Sequence, residues 1–305
     1  MKENEIENLV FAGGGLKGFI HIGVLQILEE NGILSNCKNF CGASIGSFFA
    51  LLLCIGISVI DIERLFLCIN PKNIVSYHPE NLVKLLDRLG CESTDSLENI
   101  LHIILEKKTN NPRITMKELY ELTNKELCFS VTNISKQCGE YFNYKTTPDL
   151  EVAEACLISM CIPFLFEPRF YKDSYYLDGG IANNFPIDYF QNSQENTIGV
   201  SIQDSKVTEP LPLPSDVISL FLNMYKTTLT QRTINKHELY QNVICVMNDY
   251  SPYEFDIPMS IRMGFIKSGR EKTSNFLNDC VEREINIWVE KIVSKIIADV
   301  LELEL

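Results

Sequence analysis

Twice within the first fifty residues, a short apolar run passes through glycines straight into a helical pattern. Leu9-Val10-Phe11-Ala12 enters Gly13-Gly14-Gly15-Leu16-Lys17-Gly18, and Asn39-Phe40-Cys41 enters Gly42-Ala43-Ser44-Ile45-Gly46. After the first, Phe19, Ile20, Val24, Ile27 and Leu28 recur at helical spacing until Asn31-Gly32 closes the helix. After the second, the spacing predicts a helix over residues 45–55. This order predicts an α/β fold in which neighbouring strands run parallel. Both turns then share the carboxyl edge of one sheet, where open α/β folds bind ligands.

Further along, 128–132, 141–144, 175–177 and 197–202 read as strands, and 59–68, 115–122 and 148–160 as helices. The stretch 70–113 carries amphipathic helical pieces broken by Pro71, Pro79, Gly90 and Pro112. A link bearing Pro210, Pro212 and Pro214 precedes an expected helix from Asp216 to Thr233. Near the end, Val281, Ile285, Trp288, Val289, Ile292, Val293 and Ile296 fall on one helical face, the pattern of a helix packed on its own core. The expected organisation is a domain over 8–203 and a mostly helical extension, 204–305, packing on it.

Charge and cysteine usage exclude several function classes. A formal net charge of -13 lacks the basic surface that nucleic acid binding requires. It also opposes tight adhesion to anionic lipid. Eleven cysteines without a CxxC or HExxH pattern read as reduced thiols, and no metal is expected. The acidic start, Met1-Lys2-Glu3-Asn4-Glu5, has no secretory apolar core, and the expected location is cytoplasmic, with peripheral association at membranes.

The two turns and a third signature, Asp178-Gly179-Gly180, divide one chemistry between them. A serine hydroxyl becomes a nucleophile only when a base takes its proton and donors stabilise the oxyanion. Small residues at Gly42 and Gly46 permit the sharp strand-to-helix bend that projects Ser44 at a helix N-terminus. Gly13, Gly14 and Gly15 can aim their amides at one point. Asp178 follows an aromatic strand and supplies a carboxylate. The same glycines also match a dinucleotide fingerprint, but Cys37-Lys38-Asn39-Phe40 lacks the acidic residue that fold places after its second strand. Lys17 is read as holding the loop, facing an anionic head group, or making a surface ion pair. Of four histidines, His21 reads as packing, and His237 follows Asp178 in the order of a serine–aspartate–histidine triad.

Together these motifs resemble the patatin-like phospholipase family, as do Thr147-Pro148-Asp149, Ser159-Met160-Cys161-Ile162-Pro163 and Asn183-Asn184-Phe185-Pro186. The resemblance covers roughly residues 8 to 203. It implies a three-layer α/β/α fold with a central, mostly parallel sheet and a Ser-Asp dyad that cleaves lipid acyl esters. Carried over, Ser44 is the nucleophile, Asp178 the base, and Gly14 and Gly15 with Gly13 the oxyanion hole. Lys17, Gly18, Gly42, Gly46, Gly179 and Gly180 complete the motifs. The implied substrate is a phospholipid or other acyl-ester lipid met in transient contact with a membrane surface, with no cofactor. The competing expectations are a triad esterase using His237 and a catalytically silent lipid-binding scaffold.

Overall fold

The computed structural model describes residues 6–69, 88–204, 224, 239–240, 242–250 and 256–302, the last of these as backbone only from 292. In chain order they form β1 (Asn8–Phe11), α1 (Phe19–Glu30), β2 (Asn39–Ala43), α2 (Ile45–Cys54), α3 (Val59–Cys68) and β3 (Gly90–Glu92). Next come α4 (Asp95–Thr109), α5 (Met116–Thr123), β4 (Glu126–Asn133), β5 (Cys138–Phe142), α6 (Val152–Ser159) and β6 (Phe164–Phe166). The remainder is β7 (Arg169–Tyr171), β8 (Ser174–Asp178), α7 (Gly180–Asn183), β9 (Thr197–Gln203), β10 (Val243–Met247) and α8 (Met259–Glu302). The expected helix 216–233, the proline link, His78 and His237 lie outside the described residues.

Local chemistry accounts for the element ends. Ser58 opens α3 by accepting the Asp61 N–H at 3.2 Å. Thr115 and Glu118 cap α5 reciprocally, each side chain taking the other's main-chain N–H. α2 is buried along nearly its whole length because Phe48, Phe49, Ala50 and Leu51–Leu53 leave it no polar face.

The fold is mixed α/β around a central, mostly parallel sheet. β10, β9, β1, β2 and β4 run parallel in that order, with Leu9 opposite Phe40 and Ile198. Side chains alternate across it. Leu9 and Phe11 join the core formed with α1 and α2, whereas Val10 and Ala12 pack on the other face with Phe185 and Ile187. β10 adds a strand from the segment expected to be mostly helical.

The far side of the sheet carries the detail that matters for chemistry. β4 pairs with β2 through Ser130, with β5 from Phe129 to Asn133, and with β8 from Val131 to Asn133. A strand has two edges, so β2 and β8 must share one and β5 take the other. β2 runs up this shared edge to Ala43, opposite Ser130, and antiparallel β8 runs down it to Asp178, opposite Val131. The two strands meet head-on.

α8 lies across α1 at a glycine contact: a Cβ on Gly23 would overlap the Ile266 carbonyl, and one on Gly269 the Ile20 carbonyl. Phe265, Ile266, Phe276 and Cys280 of α8 are buried. Beyond them Val281, Ile285, Trp288 and Val289 of the expected core-packed stripe are instead exposed, with Trp288 at 63%, and the side chains of its later residues lie outside those described. No helix among the described residues is long and apolar enough to cross a membrane.

Candidate active site

Ser44 is the first residue past β2 and the N-cap of α2, at φ 52° and ψ -128°. This left-handed backbone is costly for a residue with a Cβ and marks the strained turn that lifts a nucleophile out of a sheet. Its side chain does not cap the helix. Asp178, fully buried, ends β8. Its Oδ1 accepts the Gly180 N–H at 2.7 Å, its N–H donates to the Cys161 carbonyl at 2.8 Å, and its carbonyl accepts from Thr132 Oγ1 at 2.8 Å. Because β2 and β8 converge, Ala43, which precedes Ser44, and Asp178 lie opposite adjacent residues of β4, Ser130 and Val131. A Cβ on Gly179 would overlap the Ser130 carbonyl, so the chain leaves Asp178 hard against β4.

The glycine loop closes over the same edge. A Cβ on Gly13 would lie 3.1 Å from the Ser44 Cβ and 3.2 Å from the Ala43 carbonyl. The Gly13 N–H donates to the Asn184 carbonyl at 3.0 Å. Gly13 is therefore removed from the expected set of oxyanion donors, its hydrogen already committed. The amides of Gly14 and Gly15 enter no hydrogen bond among the described residues.

Lys17 corrects another expectation. Its side chain is 5% exposed, and Nζ donates to Asp204 Oδ1 at 2.6 Å and to the Asn248 carbonyl at 2.8 Å. It is neither a surface pair nor a head-group contact. It ties the glycine loop to the residues that follow β9 and β10. Gly18 lies against Ile45 and Phe49, where a side chain would clash. Gly42 and Gly46 approach each other too closely for a Cβ.

His21 packs as the sequence suggested, and Asn184 has a role that its motif did not specify. His21 is fully buried between Phe11 and Phe49, and its Nε2–H donates to the Ala12 carbonyl at 2.9 Å. Burial lowers its pKa to about 4, with the Ala12 bond opposing in part, so the ring is neutral near pH 7. Asn184 braces Gly13. The sequence does not show the role of Asn184, since it acts on a main-chain atom 171 residues away.

An apolar cavity of about 80 Å³ adjoins the turn, lined by Gly15, Leu16, Phe19, Ile45, Phe48, Phe66, Ile69, Leu97, Ile100 and Met160. A hydroxyl at a strained turn, a carboxylate ending the opposing strand on the same edge of β4 and a glycine loop packed against that turn suit one chemistry, the cleavage of an acyl ester. The class is that of carboxylic ester hydrolases, and the greasy cavity fits lipids.

Comparison with known proteins narrows the class. The family model described as Patatin-like phospholipase matches residues 9–190, more than half of the chain, and the chain belongs to this family of lipid ester hydrolases. An uncharacterized protein of Acanthamoeba polyphaga mimivirus is 25% identical over 96% of this chain and 97% of its own. A probable lipid hydrolase of Invertebrate iridescent virus 6 is 33% identical, covering 62% of this chain and 64% of that one. Among solved structures, VipD from Legionella pneumophila shares the fold at a TM-score of 0.59 and 21% identity, over 90% of this chain and 67% of that one. ExoU of Pseudomonas aeruginosa, solved with SpcU, gives 0.53 at 18% identity, over 90% of this chain and 52% of its own.

Proposed function

We propose that this chain cleaves fatty-acyl esters of phospholipids or lysophospholipids, with Ser44 as nucleophile, Asp178 as base, and the Gly14 and Gly15 amides as oxyanion hole. The observation that carries this reading is the head-on meeting of β2 and β8 on one edge of β4. Ser44 Oγ attacks the ester carbonyl while its proton passes to Asp178. The two loop amides hold the tetrahedral oxyanion. As the intermediate collapses, Asp178 returns that proton to the departing lysolipid oxygen. Water then gives a proton to Asp178 and attacks the acyl-serine, and the proton goes back to Ser44 Oγ as the fatty acid leaves. The apolar cavity beside Ile45 and Gly15 takes the acyl chain.

Contact with a lipid surface belongs to the same proposal. β8 begins beyond the level of Asn133, so the β7–β8 hairpin stands past the carboxyl edge on which Ser44 lies. Phe170 and Tyr175 pair near its tip with ring centroids 5.0 Å apart, 60% and 48% exposed. Ile134 of the neighbouring hairpin is exposed beside them and donates its N–H to the Tyr175 carbonyl at 3.0 Å. An apolar Phe ring beside an amphipathic Tyr ring at an exposed tip suits a lipid–water boundary.

A fluorophosphonate probe tests the assignment. Mass spectrometry is expected to find the label on Ser44. Ser44→Ala is expected to abolish labelling and hydrolysis, Asp178→Asn to slow both by roughly 1,000-fold or more, and His237→Ala to leave them intact. Labelling at another residue, or full activity in Asp178→Asn, refutes the dyad.

A further inference from the structure

Ser159, the last residue of α6, is fully buried and touches both halves of the site. Its hydroxyl lies 2.7 Å from the Ser130 carbonyl, 2.7 Å from Ser47 Oγ and 3.2 Å from the Ser44 main-chain nitrogen. A hydroxyl has one hydrogen and two lone pairs. The carbonyl can only accept, so the Ser159 hydrogen goes to Ser130. Ser47 must then donate, and the Ser44 N–H takes the second lone pair. The hydroxyl is saturated. The main-chain carbonyl of Ser159 meanwhile accepts the Gly179 N–H at 3.1 Å, the residue directly after Asp178.

From this arrangement we infer that Ser159 is a positioning residue which sets the approach of Ser44 to Asp178. One residue grips the backbone of the nucleophile through its side chain and the backbone behind the carboxylate through its main chain, with β4 as the common support. The strained Ser44 turn needs such a restraint, because a left-handed serine relaxes when its surroundings do not fix it. A group that locks the reacting side chains from behind governs catalytic geometry more than substrate binding.

The inference rests on the dyad reading and is tested on the full chain by Ser159→Ala, which deletes the three side-chain bonds and keeps the carbonyl. Expected is a fall in kcat of roughly 10- to 100-fold with KM within about twofold, and an equal slowing of fluorophosphonate labelling at Ser44. Ser47→Ala, which leaves the bond to Ser44 in place, is the control for mere loss of packing and is expected to lower Tm while keeping kcat within about threefold. Ser159→Thr retains the hydroxyl and is expected to recover most of the lost kcat. If Ser159→Ala does not fold, Ser159→Cys replaces it, its weaker acceptor giving a smaller fall in kcat of the same kind. A folded Ala or Cys variant with unchanged kcat and labelling overturns the inference, as does a Ser47→Ala loss of kcat equal to that of Ser159→Ala. Wild-type labelling away from Ser44 would instead remove the underlying dyad, so the two failures are distinct.

Discussion

Gly13 and Asn184 hold each other through two hydrogen bonds: the Gly13 N–H donates to the Asn184 carbonyl at 3.0 Å, and Asn184 Nδ2 donates to the Gly13 carbonyl at 3.3 Å. The clamp joins the glycine loop to the segment just past Asp178. Asn184→Ala removes the side-chain half and, on the proposed oxyanion role of the loop, is expected to lower kcat by about tenfold with little change in KM. Asn184→Asp places a carboxylate against the Gly13 carbonyl and should be worse. Steady-state kinetics on a soluble ester checks both, and a variant with raised KM and unchanged kcat would contradict this role.

Lys17 and Asp204 form a largely buried ion pair behind the same loop. Removing one charge from such a pair costs on the order of 3 kcal/mol, whereas removing both costs less than the sum. Denaturation should therefore show the double variant losing less stability than Lys17→Met and Asp204→Asn do together. Additive losses would mean that the pair does not hold the loop to the ends of β9 and β10.

The buried neutral imidazole of His21 predicts an acid sensitivity. Burial holds its pKa at about 4 against the ordinary 6.5, so between those values the unfolded chain binds a proton that the folded chain does not. Stability then rises with pH across that window, and falls as pH drops from 6.5 to 4. The full effect is roughly 3 kcal/mol. Compared with His21→Gln by urea denaturation, the wild type should lose relative stability over that window and show no further relative change below it. A difference independent of pH would contradict a neutral ring.

The Phe170–Tyr175 hairpin separates surface contact from chemistry. Replacing both by Ser is expected to reduce binding to phosphatidylcholine vesicles, and hydrolysis within them, by about tenfold. Turnover of a soluble short-chain ester should stay within about twofold. Equal loss on both substrates would point to a damaged fold, and no loss on vesicles would dismiss the hairpin as a contact.

The cavity sets a further expectation. Met160→Trp narrows it beside the nucleophile turn and should shift preference from a dodecanoyl to a butyryl ester by roughly tenfold in the ratio of kcat/KM. An unaltered ratio in an active variant would place the chain elsewhere.

The parts legible in the sequence are those written locally. The glycine loop, the Ser44 turn and the strand ending in Asp178 each declare themselves within six residues, and the parallel β1–β2 pair follows from their spacing. What the sequence did not declare is non-local or lacks a signal. The β7–β8 turn is Lys172-Asp173, both at positive φ, without the glycine that usually announces such a hairpin. β10 is five residues beyond a long stretch with no strand pattern. The commitment of the Gly13 amide depends on Asn184, 171 residues away. The face of α8 bearing Val281, Ile285, Trp288 and Val289 was legible as a helical stripe, but periodicity does not say whether such a stripe is covered.

The shared edge of β4 has a bearing on how this lineage can vary. Because two opposing strands are indexed against one backbone, the offset between Ala43, which leads into Ser44, and Asp178 is measured by a single ruler, the step from Ser130 to Val131. Insertions between residues 55 and 125, or between 134 and 137, add chain without altering that measurement. A one-residue deletion inside β4 would shift the scale itself, and no compensating change elsewhere would bring the two groups back into line.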